Sequence, residues 1–84
     1  MRVEFRQGMP EGCARWLCEN VGLGNIEEDS NGIIKRHSMI DMPEFDWFYE
    51  QICIKNDATG LFWYMSAITV KDPNLATWFV LRWS

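Results

Sequence analysis

The chain has 84 residues, a formal charge of −4 and 48% hydrophobic residues, with aromatics alone at 14%. That hydrophobic content excludes a disordered chain, and the length suits one compact domain, residues 1–84, near the small end of what folds unaided. Net acidity without clustered Lys and Arg excludes a nucleic-acid-binding surface, and the acids are too few and too spread out to mimic DNA.

Val3 and Phe5 alternate with Arg2, Glu4 and Arg6, which predicts a strand over Met1 to Gln7 with one buried face, ended by Gly8. Pro10 suits a first helical position, and Ala14, Leu17, Cys18 and Val21 then recur at helical spacing. Gly22 is placed to close this helix, which is expected over 10–22. Between strand and helix, the backbone amides of Gly8 to Gly12 sit where a phosphate could bind. The segment lacks the Lys and Ser/Thr of a P-loop, and Glu11 would repel an anion, so it reads as a plain turn.

Asn31-Gly32 is a strong signal for a two-residue hairpin turn. With those two residues as the turn, Ser30 faces Ile33, Glu28 faces Lys35 and Glu27 faces Arg36. The acidic and basic runs then satisfy each other across an exposed ladder.

From Phe45 onward the pattern is strand, turn, strand, turn, strand, with turn formers at Lys55 to Gly60 and Lys71 to Asn74. A helix over 43–53 capped by Asp41 is the rival reading. It would be apolar nearly all round, through Trp47-Phe48-Tyr49 and Ile52-Cys53-Ile54, so a strand is expected. The fold class is therefore α+β and mainly antiparallel: an N-terminal strand, a short hairpin and a C-terminal three-stranded meander, with one helix packed on one face.

No motif for catalysis, cofactor or metal emerges. His37 is the sole histidine and reads as a hairpin-edge residue, while Cys13, Cys18 and Cys53 read as buried free thiols of a reducing cytosol. Cys13 and Cys18 point to different sides of a helix, so no metal site is expected. Asp46 and Glu50 pair by spacing only and read as rim charges. The start carries no uninterrupted apolar run of a signal peptide, and no apolar stretch is long enough to span a bilayer.

The meander places Phe45, Trp47, Tyr49, Gln51 and Cys53 on one face with Val70, Ile68, Ser66, Tyr64 and Phe62, as the seat for the helix. The opposite face is also apolar at its centre. Its candidate partner-binding residues are Phe48, Glu50, Trp63, Met65, Trp78, Val80 and Arg82, with Arg82 opposite Trp63 at cation–π range. The expected function is a small intracellular protein-binding domain, not an enzyme, whose partner is another protein or a second copy in a homodimer. In type, a compact, acidic, aromatic-rich chain without a catalytic motif resembles phage-encoded inhibitors of host or defence proteins, which implies action in the host cytoplasm. The alternatives are an assembly subunit of a larger particle and, behind it, a small-ligand binder or enzyme with an aromatic pocket.

Overall fold

The computed structural model describes residues 1–83. In chain order it contains β1 (Arg2–Phe5), α1 (Cys13–Asn20), β2 (Ile26–Glu28), β3 (Ile34–Arg36), β4 (Trp47–Lys55), β5 (Phe62–Val70) and α2 (Pro73–Trp83). The α+β class with antiparallel sheet holds. β5 lies at the centre of a three-stranded sheet ordered β1-β5-β4, and β2 with β3 makes a separate hairpin.

The alternation in β1, β4 and β5 produces the expected faces. Val3 pairs with Ile68, which pairs with Tyr49, and Trp47 pairs with Val70. These side chains share a face with Phe5 and pack against Leu17 of α1 and Phe79 of α2. No part of 43–53 is helical, but the strand begins only at Trp47: residues 43–46 form a turn and bend, with Phe45 N–H bonded to the Met42 carbonyl.

The third meander strand is a correction: residues 73–83 form α2, a second helix on the same sheet face as α1. Asp72 caps it, its carboxylate accepting the N–H groups of Asn74 (2.8 Å) and Leu75 (3.2 Å), while Pro73 occupies the first helical position. Ala76, Phe79 and Trp83 fall at i, i+3 and i+7 and turn together toward the core. A strand would have put Ala76 on the face opposite Phe79. The sheet position beside β5 that the meander assigned to this segment belongs to β1.

The β2–β3 hairpin is also displaced by one residue from the expected register. The observed partners are Ile26 with Arg36, Glu27 with Lys35 and Glu28 with Ile34. The loop holds three residues, not two: Asp29 N–H bonds the Ile33 carbonyl, and Gly32 sits at φ +82°, a conformation that glycine adopts without strain. The Asp29 carboxylate fixes this longer turn by accepting from Asn31 (2.8 Å) and Ile33 (2.9 Å). Glu27 thus lies opposite Lys35 and also reaches His37 Nε2 at 3.4 Å.

The shift turns Glu28 inward, where it is buried. Its carboxylate accepts the backbone N–H groups of Gly12 (3.0 Å) and Arg15 (3.2 Å) at the start of α1. Gly12, at the N-cap position, has no side chain to do this, so a residue 16 positions away caps the helix instead. α1 is accordingly shorter than expected, beginning at Cys13, and its buried stripe is Cys13, Ala14 and Leu17.

Candidate functional site

β4 and β5 are each nine residues long, but only their inner halves join the hydrophobic core. β1 stops at Phe5, opposite Ser66, and the core residues that the two strands contribute are Trp47, Tyr49, Ile68 and Val70. Beyond the Gln51–Ser66 pair the two strands continue as a ribbon, through Cys53–Tyr64 to Lys55–Phe62. This arm contributes to a long molecular axis of 42 Å, against 27 and 24 Å for the other two.

The tip is held by its own hydrogen bonds. Asn56 N–H donates to the Leu61 carbonyl and Gly60 N–H to the Asn56 carbonyl, both at 2.8 Å. Behind it stand four consecutive large apolar residues, Leu61, Phe62, Trp63 and Tyr64, exposed at 67, 59, 45 and 55%. The four are consecutive in sequence and alternate between the two ribbon faces, so each face of the arm carries part of this exposed apolar surface. Phe62 and Tyr64 share one ribbon face and meet edge to face, with centroids 6.1 Å apart. Trp63 and Ile54 on the other face line a shallow groove with Met65, closed on the β1 side by Glu4 and Arg6.

The candidate residues read from the sequence do not form one patch. Phe48, Glu50, Trp63 and Met65 do share the outer sheet face, since Phe48 pairs with Thr69, Glu50 with Ala67 and Ile52 with Met65. The centre of that face is closed: Ala67 is fully buried, and Arg2 spans from Glu4 (3.5 Å) to Glu50 (3.6 Å) from β1 to β4. Met65 is itself buried. Trp78, Val80 and Arg82 lie on α2, on the other side of the sheet. Arg82 stacks on Trp83 at 4.7 Å and not on Trp63. Trp78 is 56% exposed and leans on Trp16 of α1, their centroids 6.0 Å apart, so it belongs to a separate patch on the helices. Segment 23–44 covers neither Trp63 nor Trp78. It instead covers the inner edge of β4, where Asn25 Nδ2 donates to the Tyr49 carbonyl (2.7 Å) and Tyr49 N–H donates to Asn25 Oδ1 (2.6 Å).

Several titratable groups hold the fold together. Asp46 accepts from Leu23 N–H, and His37 pairs with Glu27. Of the three thiols only Cys13 is buried; Cys18 and Cys53 are exposed, which corrects the expectation for both. An amphipathic stripe can point to Cys18 without fixing how far the next element reaches over it. Burial, then the Glu28 carboxylate, pushes the Cys13 thiol from 9.0 up to about 12, the reverse of what activates a nucleophile. Cys18 is also pushed up, first by partial desolvation of its thiol, which turns toward the Ile26 carbonyl at 3.9 Å, then by Glu27.

Cys13 gives a pH prediction. Above about pH 9 the unfolded chain loses this thiol proton, whereas the native state keeps it until about 12. The native state then holds more protons, so stability should fall as pH rises through this window, by up to ~1.4 kcal/mol per pH unit from this group. Denaturant midpoints measured on either side of pH 9 should show a shallower fall in Cys13→Ala. An equal fall in both proteins would show that Cys13 is not the group responsible.

Comparison with known proteins finds no family model, no curated protein and no solved structure that matches this chain. No helix among the described residues is long and apolar enough to cross a membrane, and no group of three or more His, Cys, Asp or Glu is placed to hold a metal ion.

Proposed function

We propose that this chain is a small protein-binding domain that engages its target through the β4–β5 arm. The observation that carries this reading is the run Leu61 to Tyr64, four large apolar side chains left in solvent on a two-stranded ribbon that the core does not support. An isolated two-stranded ribbon is marginal in water, so a target that covers its apolar faces would stabilise it, and aromatic side chains are favoured as interface anchors. Three free cysteines support action in a reducing compartment, the cytoplasm. By occupying a working surface of its target the domain would act as an inhibitor, the role of the phage-encoded proteins it resembles in type.

The test compares Phe62→Ser and Trp63→Ser with Trp78→Ser on the helix patch. All three variants should remain folded by circular dichroism, since each position is about half exposed. The arm variants should weaken binding of a co-purified partner roughly 30-fold or more each, as expected of interface anchors, and Trp78→Ser should not. Loss of the partner through Trp78→Ser alone would transfer the site to the helices and overturn the reading.

A further inference from the structure

The edges of the arm differ in what they offer. Along β4 the peptide groups alternate between facing β5 and facing away from it. Tyr49 turns both its N–H and its C=O away from β5, because Asn25 takes them there. By the same alternation Gln51, Cys53 and Lys55 also direct their N–H and C=O groups outward, where no hydrogen bond to the described residues meets them. The open edge thus begins after Tyr49, where Asn25 ends its cover, and stops at Lys55, where the loop begins. On β5 only Phe62 and Tyr64 face outward beyond the end of β1, which makes a shorter edge.

We infer that the β4 edge of the arm pairs antiparallel with the same edge of a second copy, with Cys53 opposite Cys53 on the two-fold axis. This proposal rests on the arm being the binding surface and names one partner for it. Three observations select that occupant and that register. First, Cys53 is the midpoint of the open edge, so only this register uses all of it: Gln51 faces Lys55 of the other copy and Lys55 faces Gln51, each pair exchanging N–H and C=O bonds. Second, no like charges meet, since Lys55 faces a glutamine and Glu50 faces Asn56. Third, Ile52 falls opposite Ile54, which joins Met65 and Ile52 of one copy to Ile54 and Trp63 of the other in one apolar row across the new sheet. A strand edge of this length is a small interface, so the dimer is expected to be concentration-dependent rather than permanent.

The experiment measures mass by sedimentation equilibrium on the full chain, from micromolar concentrations to about 1 mM. The expected result is reversible doubling of the 9.9 kDa mass. Cys53→Pro removes an outward N–H that the β5 ladder does not use, a place where edge strands accept proline, so the variant should keep its fold by circular dichroism. Its dissociation constant should rise about tenfold or more. In a Cys18→Ser background, diamide should link two copies by taking two electrons and two protons from the paired Cys53 thiols, forming one S–S bond. The Cα separation of directly opposed strand residues, roughly 5.5 Å, permits that bond. A chain that stays monomeric throughout overturns the proposal, as does a dimer that survives Cys53→Pro and fails to link through Cys53. If either occurs while Phe62→Ser and Trp63→Ser still release a different protein, the arm remains the binding surface and only its partner has been misassigned.

Discussion

Replacing Trp47 by alanine should destabilise the domain by about 3–5 kcal/mol, whereas Trp63→Ala should change stability by less than about 1 kcal/mol. The two tryptophans sit on adjacent strands of one hairpin, and the sequence offers no difference of type between them. Trp47 is fully buried between the helices and the sheet, and its indole N–H donates to the Gly22 carbonyl at 2.9 Å. Gly24 lies against the ring so closely that a Cβ there would stand 2.2 Å from an indole carbon. The chain around the ring is thus shaped to it, and little can collapse into the space alanine would leave. A domain of this size has roughly 4–13 kcal/mol of total stability, so the loss threatens folding outright. Thermal or urea unfolding of both variants decides the matter. If Trp63→Ala were as costly as Trp47→Ala, the arm would be part of the core and not a surface left free.

The second large effect is expected at Glu28. Glu28→Ala should cost about 2–3 kcal/mol, because it removes a charged acceptor from two helix N–H groups that have no other cap. Glu28→Gln should cost less, keeping one acceptor oxygen and losing the charge. The decisive variant is the exchange Glu28→Lys with Lys35→Glu. Were the two residues partners across an exposed ladder, the exchange would restore stability. Lys35 instead faces Glu27, so the double variant should be no more stable than Glu28→Lys alone, and α1 should lose helicity by circular dichroism. Recovery in the double variant would refute the capping role.

Both predictions turn on features that the sequence only partly discloses. The alternation in β4 and β5 assigned every side chain of the pair to its proper face. Composition did not fix where the loop between them closes. Sliding β4 along β5 by two residues leaves the faces unchanged, and the structure sets the register with Phe48 opposite Thr69. In the β2–β3 hairpin the shift was a single residue, and such a shift reverses faces, which is why Glu28 passed for an exposed charge. The signal was present in Asp29, whose carboxylate reaches forward to Asn31 and Ile33 and lengthens the turn.

The largest departure, α2, has a local cause. Trp78, Phe79 and Val80 favour strands by type, and Lys71 to Asn74 reads as a turn. The same residues contain Asp72-Pro73, a cap followed by a first-turn proline, which was the legible sign of a helix start. Once 73–83 is a helix, the seven candidate residues divide between two sides of the sheet. The arm could not be anticipated for a different reason: period-2 alternation says which way a side chain points, but not where the covering layer stops. Phe62 and Trp47 lie on the same face of the same hairpin, and only the reach of α1 and α2 separates the exposed ring from the buried one.

The placement of β1 beside β5 has a kinetic consequence. Arg2 must find Thr69 and Phe5 must find Ser66, so β1 joins the sheet only through β5, the last of the five described strands in chain order. The β4–β5 hairpin needs only local contacts and closes in about 1–10 μs, while closure of the long span to β1 carries a larger entropy cost. At ribosomal rates of about 5–20 residues per second, β1 waits roughly 3–12 s for its partner to be synthesised. Throughout that interval the Val3 and Phe5 side chains have no sheet to join. The order of synthesis, more than the strength of any one contact, therefore sets how long Val3 and Phe5 wait for the strand that covers them.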